Sequence, residues 1–166
     1  DKTMTQAGVG EKVFARFQAV GQEVPFYRLY TVLNEQDEKR YQLRSSKDGR
    51  LIAPQKKYSY VILPDNTGGY ELRIGTMHHH YLANKKIEVH AAGEIIFDEC
   101  DVGTNYANIH LINSSSGGYH TDDEGELVHS LKNLSIQDVL SKVGLPEEKF
   151  QPYTKPATKK RHSCRL

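Results

Sequence analysis

Seven short runs follow one another between Tyr27 and Asn113: "YRLYTVL", "RYQLR", "KYSYVIL", "YELRIG", "KIEVHA", "GEIIF" and "NIHLIN". Each has the length and the Tyr, Val, Leu and Ile content of a β-strand. Between them stand "NEQDEK", "SSKDGR", "PDNTGG" and similar clusters, in which Asn, Asp, Ser and Gly favour turns for separate physical reasons. Connections this short cannot accommodate the crossover that parallel strands need, so the pattern predicts a meander of largely antiparallel strands.

Helical spacing flanks this block. In "EKVFARFQAVG", Val13, Phe14, Phe17 and Val20 recur on one helical face, and Gly21 supplies a stop. In "DDEGELVHSLKNL", Leu127, Val128, Leu131 and Leu134 repeat in the same way, with Asp122 or Asp123 able to cap the start. "LSIQDVLSKVGLPEEKF" offers Ser135 as N-cap with Asp138 three residues on, apolar Ile136, Val139, Leu140 and Val143, and Gly144 past the last turn. The expected fold is therefore α+β: an antiparallel sheet core with an N-terminal helix and two short C-terminal helices. At 166 residues the chain suits one domain, taken as 1–153, followed by a basic tail over 154–166.

Charge is nearly balanced, with 22 basic and 21 acidic residues. The tail "KPATKKRHSCRL" concentrates the positive charge, but it is short and has no interleaved aromatics, so it reads as a solvated end and nucleic acid is not an expected partner. The chain has no apolar run of about 18 residues, and no membrane insertion is expected. The start, "DKTMTQAGVG", lacks the basic and apolar regions of a signal peptide, although a piece cut from a longer protein would look the same. Cys100 and Cys164 do not form a disulfide framework and are expected to be reduced.

Two stretches carry the chemistry. "TMHHHYLANKKIEVHAAGEIIF" sets His78, His79 and His80 in a row and then places Glu94 in an apolar strand. Strand alternation would put His78 and His80 on one side and His79 on the other, unless the backbone turns there. Zinc-type spacing is absent, and His90, His110, His120 and His129 lie on separate elements, so no metal site is expected. Glu94 has opposite parity to Ile95 and Phe97; it faces either solvent or a cleft in which a carboxylate orients a ribose hydroxyl or acts as a general base. In "INSSSGGYH", Gly117 and Gly118 allow close backbone approach to a ligand, and Tyr119 offers a flat face and a hydroxyl. A Ser116, His78 and Glu94 hydrolase lacks the GxSxG elbow, and the acids around Cys100 disfavour its thiolate.

The order "HH.YLA", "AAGEI.F" and "I..INSSSGGYH" resembles a block in the C-terminal regions of plant IQ-motif calmodulin-binding proteins and in bacterial toxin-tip and effector domains. The likeness covers about Tyr58 to Tyr153 and maps onto His78, Leu82, Ala83, Ala91, Ala92, Gly93, Glu94, Ser116, Gly117 and Tyr119. The chain departs from that pattern where His79 and His80 replace paired serines and where Gly118 replaces a histidine, and the IQ helix itself is not visible. The resemblance implies a secreted effector that acts in the cytosol of a target cell on a protein substrate, with a cognate immunity or chaperone protein as a further partner.

Among effector chemistries, the inventory best suits transfer of ADP-ribose from NAD. In one class of such transferases a His holds a ribose hydroxyl, a Tyr stacks on nicotinamide and a Glu orients the ribose or the nucleophile. His78, Tyr119 and Glu94 would take these catalytic roles here, with His79, Ser116, Gly117, Gly118 and His120 binding NAD. That class runs His, Tyr, Glu, whereas Glu94 here precedes Tyr119. The alternative is a non-catalytic protein-interaction domain in which the glycines turn the chain, Tyr119 packs, and Glu94 caps or pairs with a lysine.

Overall fold

The computed structural model describes residues 6–85, 88–115 and 135–152. Helix α1 (Gln6–Ala19) leads into β1 (Tyr27–Leu33), β2 (Lys39–Ser45), β3 (Leu51–Ile52), β4 (Lys57–Pro64) and β5 (Tyr70–Gly75). A one-turn helix α2 (His79–Leu82) follows, then β6 (Ala91–Phe97), β7 (Ile109–Asn113), α3 (Ile136–Lys142), a 3-10 turn at Glu147–Lys149 and β8 (Phe150–Gln151). All strands join one sheet in the order β3-β2-β1-β5-β4-β6-β7-β8, antiparallel except for the parallel pair β7 and β8. The α+β architecture read from the sequence is the one observed.

The turns form for the reasons their residues suggest. Between β1 and β2, the Asn34 side chain accepts the N–H groups of Gln36 and Glu38, each at 2.9 Å. Between β4 and β5, Asp65 accepts from the Thr67 and Gly69 amides, and these bonds hold its carboxyl below the usual carboxylate range. Gly68 takes the positive φ of 82° that closes this turn.

The sheet curls strongly. Tyr41 on β2 exchanges backbone hydrogen bonds of 2.8 and 3.0 Å with Ala107, just ahead of β7, although β2 and β7 stand far apart in the strand order. The concave side encloses the main core, where Leu43, Tyr60, Ile62, Ile74, Ile95, Ile109 and Ile112 are fully buried. Leu140 of α3 joins the same core. A smaller cluster of Phe14, Val24 and Tyr81 docks α1 against α2.

Several expectations change. Val20 is 67% exposed, because α1 ends at Ala19 and Gly21, at φ 72°, turns the chain before Val20 can join the apolar face. "KIEVHA" supplies no extended strand at Glu88 to His90; the His90 amide donates to Ile62 before β6 begins at Ala91. The two-residue strands β3 and β8 are too short to leave a periodic signal. Ser135 caps α3 by accepting the Asp138 N–H at 3.2 Å, and Gly144 has the positive φ of a helix stop. The expected helix around Leu127–Leu134 and the basic tail lie outside the described residues. Among the described residues, no helix is long and apolar enough to cross a membrane.

Candidate functional site

The histidine triplet is a capped helical turn and not a strand end. His78 has extended backbone angles (φ −54°, ψ 143°), and its Nδ1 accepts the His80 N–H at 3.2 Å, the bond an N-cap side chain makes. The His78 carbonyl accepts the amides of Tyr81 and Leu82 at 3.0 Å each. The turn ends in a Schellman arrangement: Asn84, at φ 55°, donates to the Tyr81 carbonyl and Lys85 donates to that of His80. Helical geometry therefore replaces strand alternation, and the neighbours His78 and His79 part company. His78 is exposed, whereas His79 is buried.

His79 Nε2 lies 2.6 Å from the carbonyl oxygen of Gly93 on β6. A carbonyl can only accept, so Nε2 carries a proton. Burial is the main cause that pushes the His79 pKa down, opposed by the bond to Gly93; His78 adds a smaller downward effect and Glu94 a small upward one. His79 thus feels both predicted catalytic groups, His78 through rings 6.2 Å apart and Glu94 through the carboxylate next to its Gly93 anchor.

Glu94 sits opposite Ser59 of β4, with its side chain 28% exposed. Both carboxylate oxygens are held: Oε1 accepts from Asn113 Nδ2 at 3.2 Å, and Oε2 lies 3.4 Å from Lys57 Nζ. The Asn113 side chain also accepts the backbone amides of Glu94 and Ser115, each at 2.9 Å. Its carbonyl accepts the Tyr60 hydroxyl at 2.9 Å. Tyr60 is fully buried, and that burial drives its pKa far above the ordinary phenol value, so the hydroxyl stays a donor.

Gly93 is the meeting point. A Cβ there would overlap the Asn113 carbonyl oxygen and come within 2.9 Å of Ser114 Cα, so only glycine lets the end of β7 cross β6. The structure in this way joins α2, the Gly93 and Glu94 segment, and the entrance of "SSSGGYH". The remaining predicted residues, Ser116, Gly117, Gly118, Tyr119 and His120, lie outside the described residues.

Three residues that complete this arrangement, Lys57, Tyr60 and Asn113, were not singled out in the sequence. Lys57 and Tyr60 look like ordinary strand residues. Asn113 carried one local signal, an Asn at a strand end ahead of serines, which favours a side-chain-to-backbone turn.

Of the other histidines among the described residues, His90 and His110 do not converge on the site. His90 is buried against Tyr70, with ring centroids 4.5 Å apart, and His110 pairs with Asp98 at 3.1 Å on the β6–β7 hairpin. Among the described residues no group of three His, Cys, Asp or Glu side chains is placed to hold a metal ion. Cys100 is a half-buried free thiol packed against the core.

The fold and this cluster define a curled antiparallel sheet that carries imidazole, carboxylate and amide groups where three chain segments meet. Compared with protein-family models, curated proteins and solved structures, the chain finds no match in any of the three.

Proposed function

We propose that this domain is an effector-type enzyme of the ADP-ribosyltransferase kind, which uses NAD to modify a protein in a target cell. The observation that supports this reading is the convergence at Gly93: the His79 ring docks on its carbonyl, Glu94 follows it, and Asn113 lies across it. Exposed His78 has its Nδ1 committed to the helix cap, which leaves Nε2 for a ribose hydroxyl. Glu94 is clamped by Asn113 and Lys57 yet partly open to solvent, the state of a carboxylate that orients a sugar or nucleophile and stabilises an oxocarbenium-like charge. In this chemistry NAD supplies the ADP-ribosyl group and nicotinamide leaves. The role of Tyr119 as a stacking face rests on the sequence.

Incubation with labelled NAD and target-cell extract tests the proposal. Labelled protein or released nicotinamide is the expected result, and the absence of both overturns it.

The second reading, a non-catalytic interaction domain, is favoured by one specific contact: Glu94 does pair with a lysine, Lys57. A thermal-shift panel of nucleotides separates the two readings, because a ligand at a hundred times its dissociation constant stabilises by about 2.7 kcal/mol. Under the second reading no nucleotide moves the melting temperature.

A further inference from the structure

Strand β6 turns two successive side chains away from the core on the face that carries Glu94. Ile95 and Phe97 are buried, whereas Glu94 and Ile96 stay partly exposed on the other side of the strand. The step from Glu94 to Ile96 is about 7 Å. Ile96 stands opposite Lys57, whose ammonium group lies 3.4 Å from Glu94 Oε2, so these three residues lie side by side.

Ile96 also lines a cleft of about 480 Å³ on the side of Glu94 away from Gly93 and the docked His79 ring. Pro54 and Lys56 border it from the segment ahead of β4, Asp98 and Glu99 from the end of β6, and His110 from β7. A volume of this size falls within the range of about 300–1,000 Å³ typical of small-molecule sites.

The walls are pinned. The Gln55 amide donates to the Tyr58 hydroxyl at 2.9 Å, the Phe97 amide to the Lys56 carbonyl at 2.7 Å, and the Asp98 amide to the Asn108 carbonyl at 2.9 Å. His110 is anchored through Nδ1, 3.1 Å from Asp98 Oδ1. A cleft held this way is formed before a ligand arrives, so binding costs little ordering.

Its charges run in a definite order. Lys57 stands at the end next to Glu94, and the cleft itself holds two carboxylates, Asp98 and Glu99, against one lysine, Lys56. An anionic group is attracted at the Lys57 end and repelled by the acid pair further in. A neutral sugar suits the interior, because carboxylates accept from ribose hydroxyls. A flat base finds an imidazole to stack on and apolar contact with Pro54 and Ile96.

We infer that this cleft takes the adenosine end of NAD. The pyrophosphate lies along Lys57 and Lys56, the adenosine ribose donates to Asp98 and Glu99, and the adenine stacks on His110. The inference rests on the transferase reading and gives it a binding direction, from the reacting ribose at Glu94 along β6 to the base at His110. It also sets a specificity: the acid pair that accepts a free ribose 2′-hydroxyl repels a 2′-phosphate, so NAD is used and NADP is rejected.

Adenosine monophosphate carries no nicotinamide and so tests the cleft apart from the transfer reaction. Titrated into the isotope-labelled full chain, it is expected to shift the amide signals of Ile96, Asp98, Glu99 and His110, whereas adenosine phosphorylated at the ribose 2′ oxygen shifts none of them. In the NAD-labelling assay, His110→Ala changes a side chain that is 66% exposed, so the fold is kept. It raises KM for NAD about tenfold with kcat unchanged, the loss expected when one stacking partner is removed. Asp98→Asn combined with Glu99→Gln lets NADP replace NAD. If NAD is turned over while the nucleotide leaves the cleft signals unmoved and His110→Ala leaves KM as it was, the adenosine site is overturned and the transferase reading stands. If the nucleotide fills the cleft but NAD is never turned over, the transferase reading falls and the cleft remains a nucleotide site. A chain that neither binds the nucleotide nor consumes NAD overturns both.

Discussion

The carbonyl oxygen of Asn113 occupies the space that a side chain on Gly93 would need, and it simultaneously accepts the hydroxyl of the buried Tyr60. One glycine therefore decides whether β7 can deliver Asn113 to Glu94.

Gly93→Ala is expected to destabilise the fold by at least the roughly 1–3 kcal/mol typical of overpacking, because the obstruction is backbone and cannot rotate away. Urea unfolding followed by circular dichroism measures this. A midpoint equal to that of the unaltered chain would show that β7 does not cross β6 as described.

Tyr60→Phe keeps the ring and deletes only the hydroxyl that serves Asn113. The expected loss is about 1–2 kcal/mol, since a buried carbonyl loses a partner. The same unfolding assay reads it, and a loss far below the Gly93→Ala effect separates the bond from the packing.

Asn113→Asp preserves an acceptor for the Glu94 and Ser115 amides but sets a second carboxylate against the Glu94 side chain. Repulsion exists while both carboxylates are ionised and vanishes when one is protonated, so the variant should lie furthest below the parent in melting temperature near neutral pH. Melting curves from neutral to acidic pH should show the gap narrowing. A gap that stays constant would mean that the two side chains do not meet.

His79 links stability to pH. Burial lowers its folded pKa below the ordinary value of 6.5, so the unfolded chain binds the proton more readily. The stabilisation is complete above about pH 6.5 and is lost as pH falls through the lower folded value. His80 is lowered as well, again mainly by desolvation, and adds a slope of the same sign. Unfolding free energies measured across this window for the parent and for His79→Gln should diverge in slope, the variant being flatter. Parallel curves would count against a buried neutral His79.

Glu94→Gln retains an oxygen that can accept from Asn113 Nδ2 and gives up only the pairing with Lys57, whose side chain is 60% exposed. Exposed ion pairs contribute on the order of 0–1 kcal/mol, so the melting temperature should move by only a few degrees. If the proposed transferase reading holds, NAD-dependent labelling is lost in this variant and also in Tyr119→Ala. Full labelling by the well-folded Glu94→Gln protein would remove Glu94 from the reaction.

The strands, turns and the start of α3 were legible in the residues because local rules govern them. Asn34 and Asp65 carry their own turn bonds, Ser135 caps with its own hydroxyl, and Gly21 and Gly144 stop helices by conformational freedom alone. The helical turn at the histidine triplet, left open in the sequence as a turn of the backbone, was not legible because His is an uncommon N-cap and strand β5 ends shortly before it.

The rest depends on distance through space. Nothing near Gly93 in the chain announces that Asn113 will lie across it. Nothing near Tyr41 announces that Ala107 will close the curl, or near Tyr27 that β5 will leave β1 after a single pair. Periodicity and turn chemistry act over a few residues and specify elements. Contacts between residues far apart in the chain are chosen by how the whole sheet twists to bury its core, and that choice was made only in three dimensions.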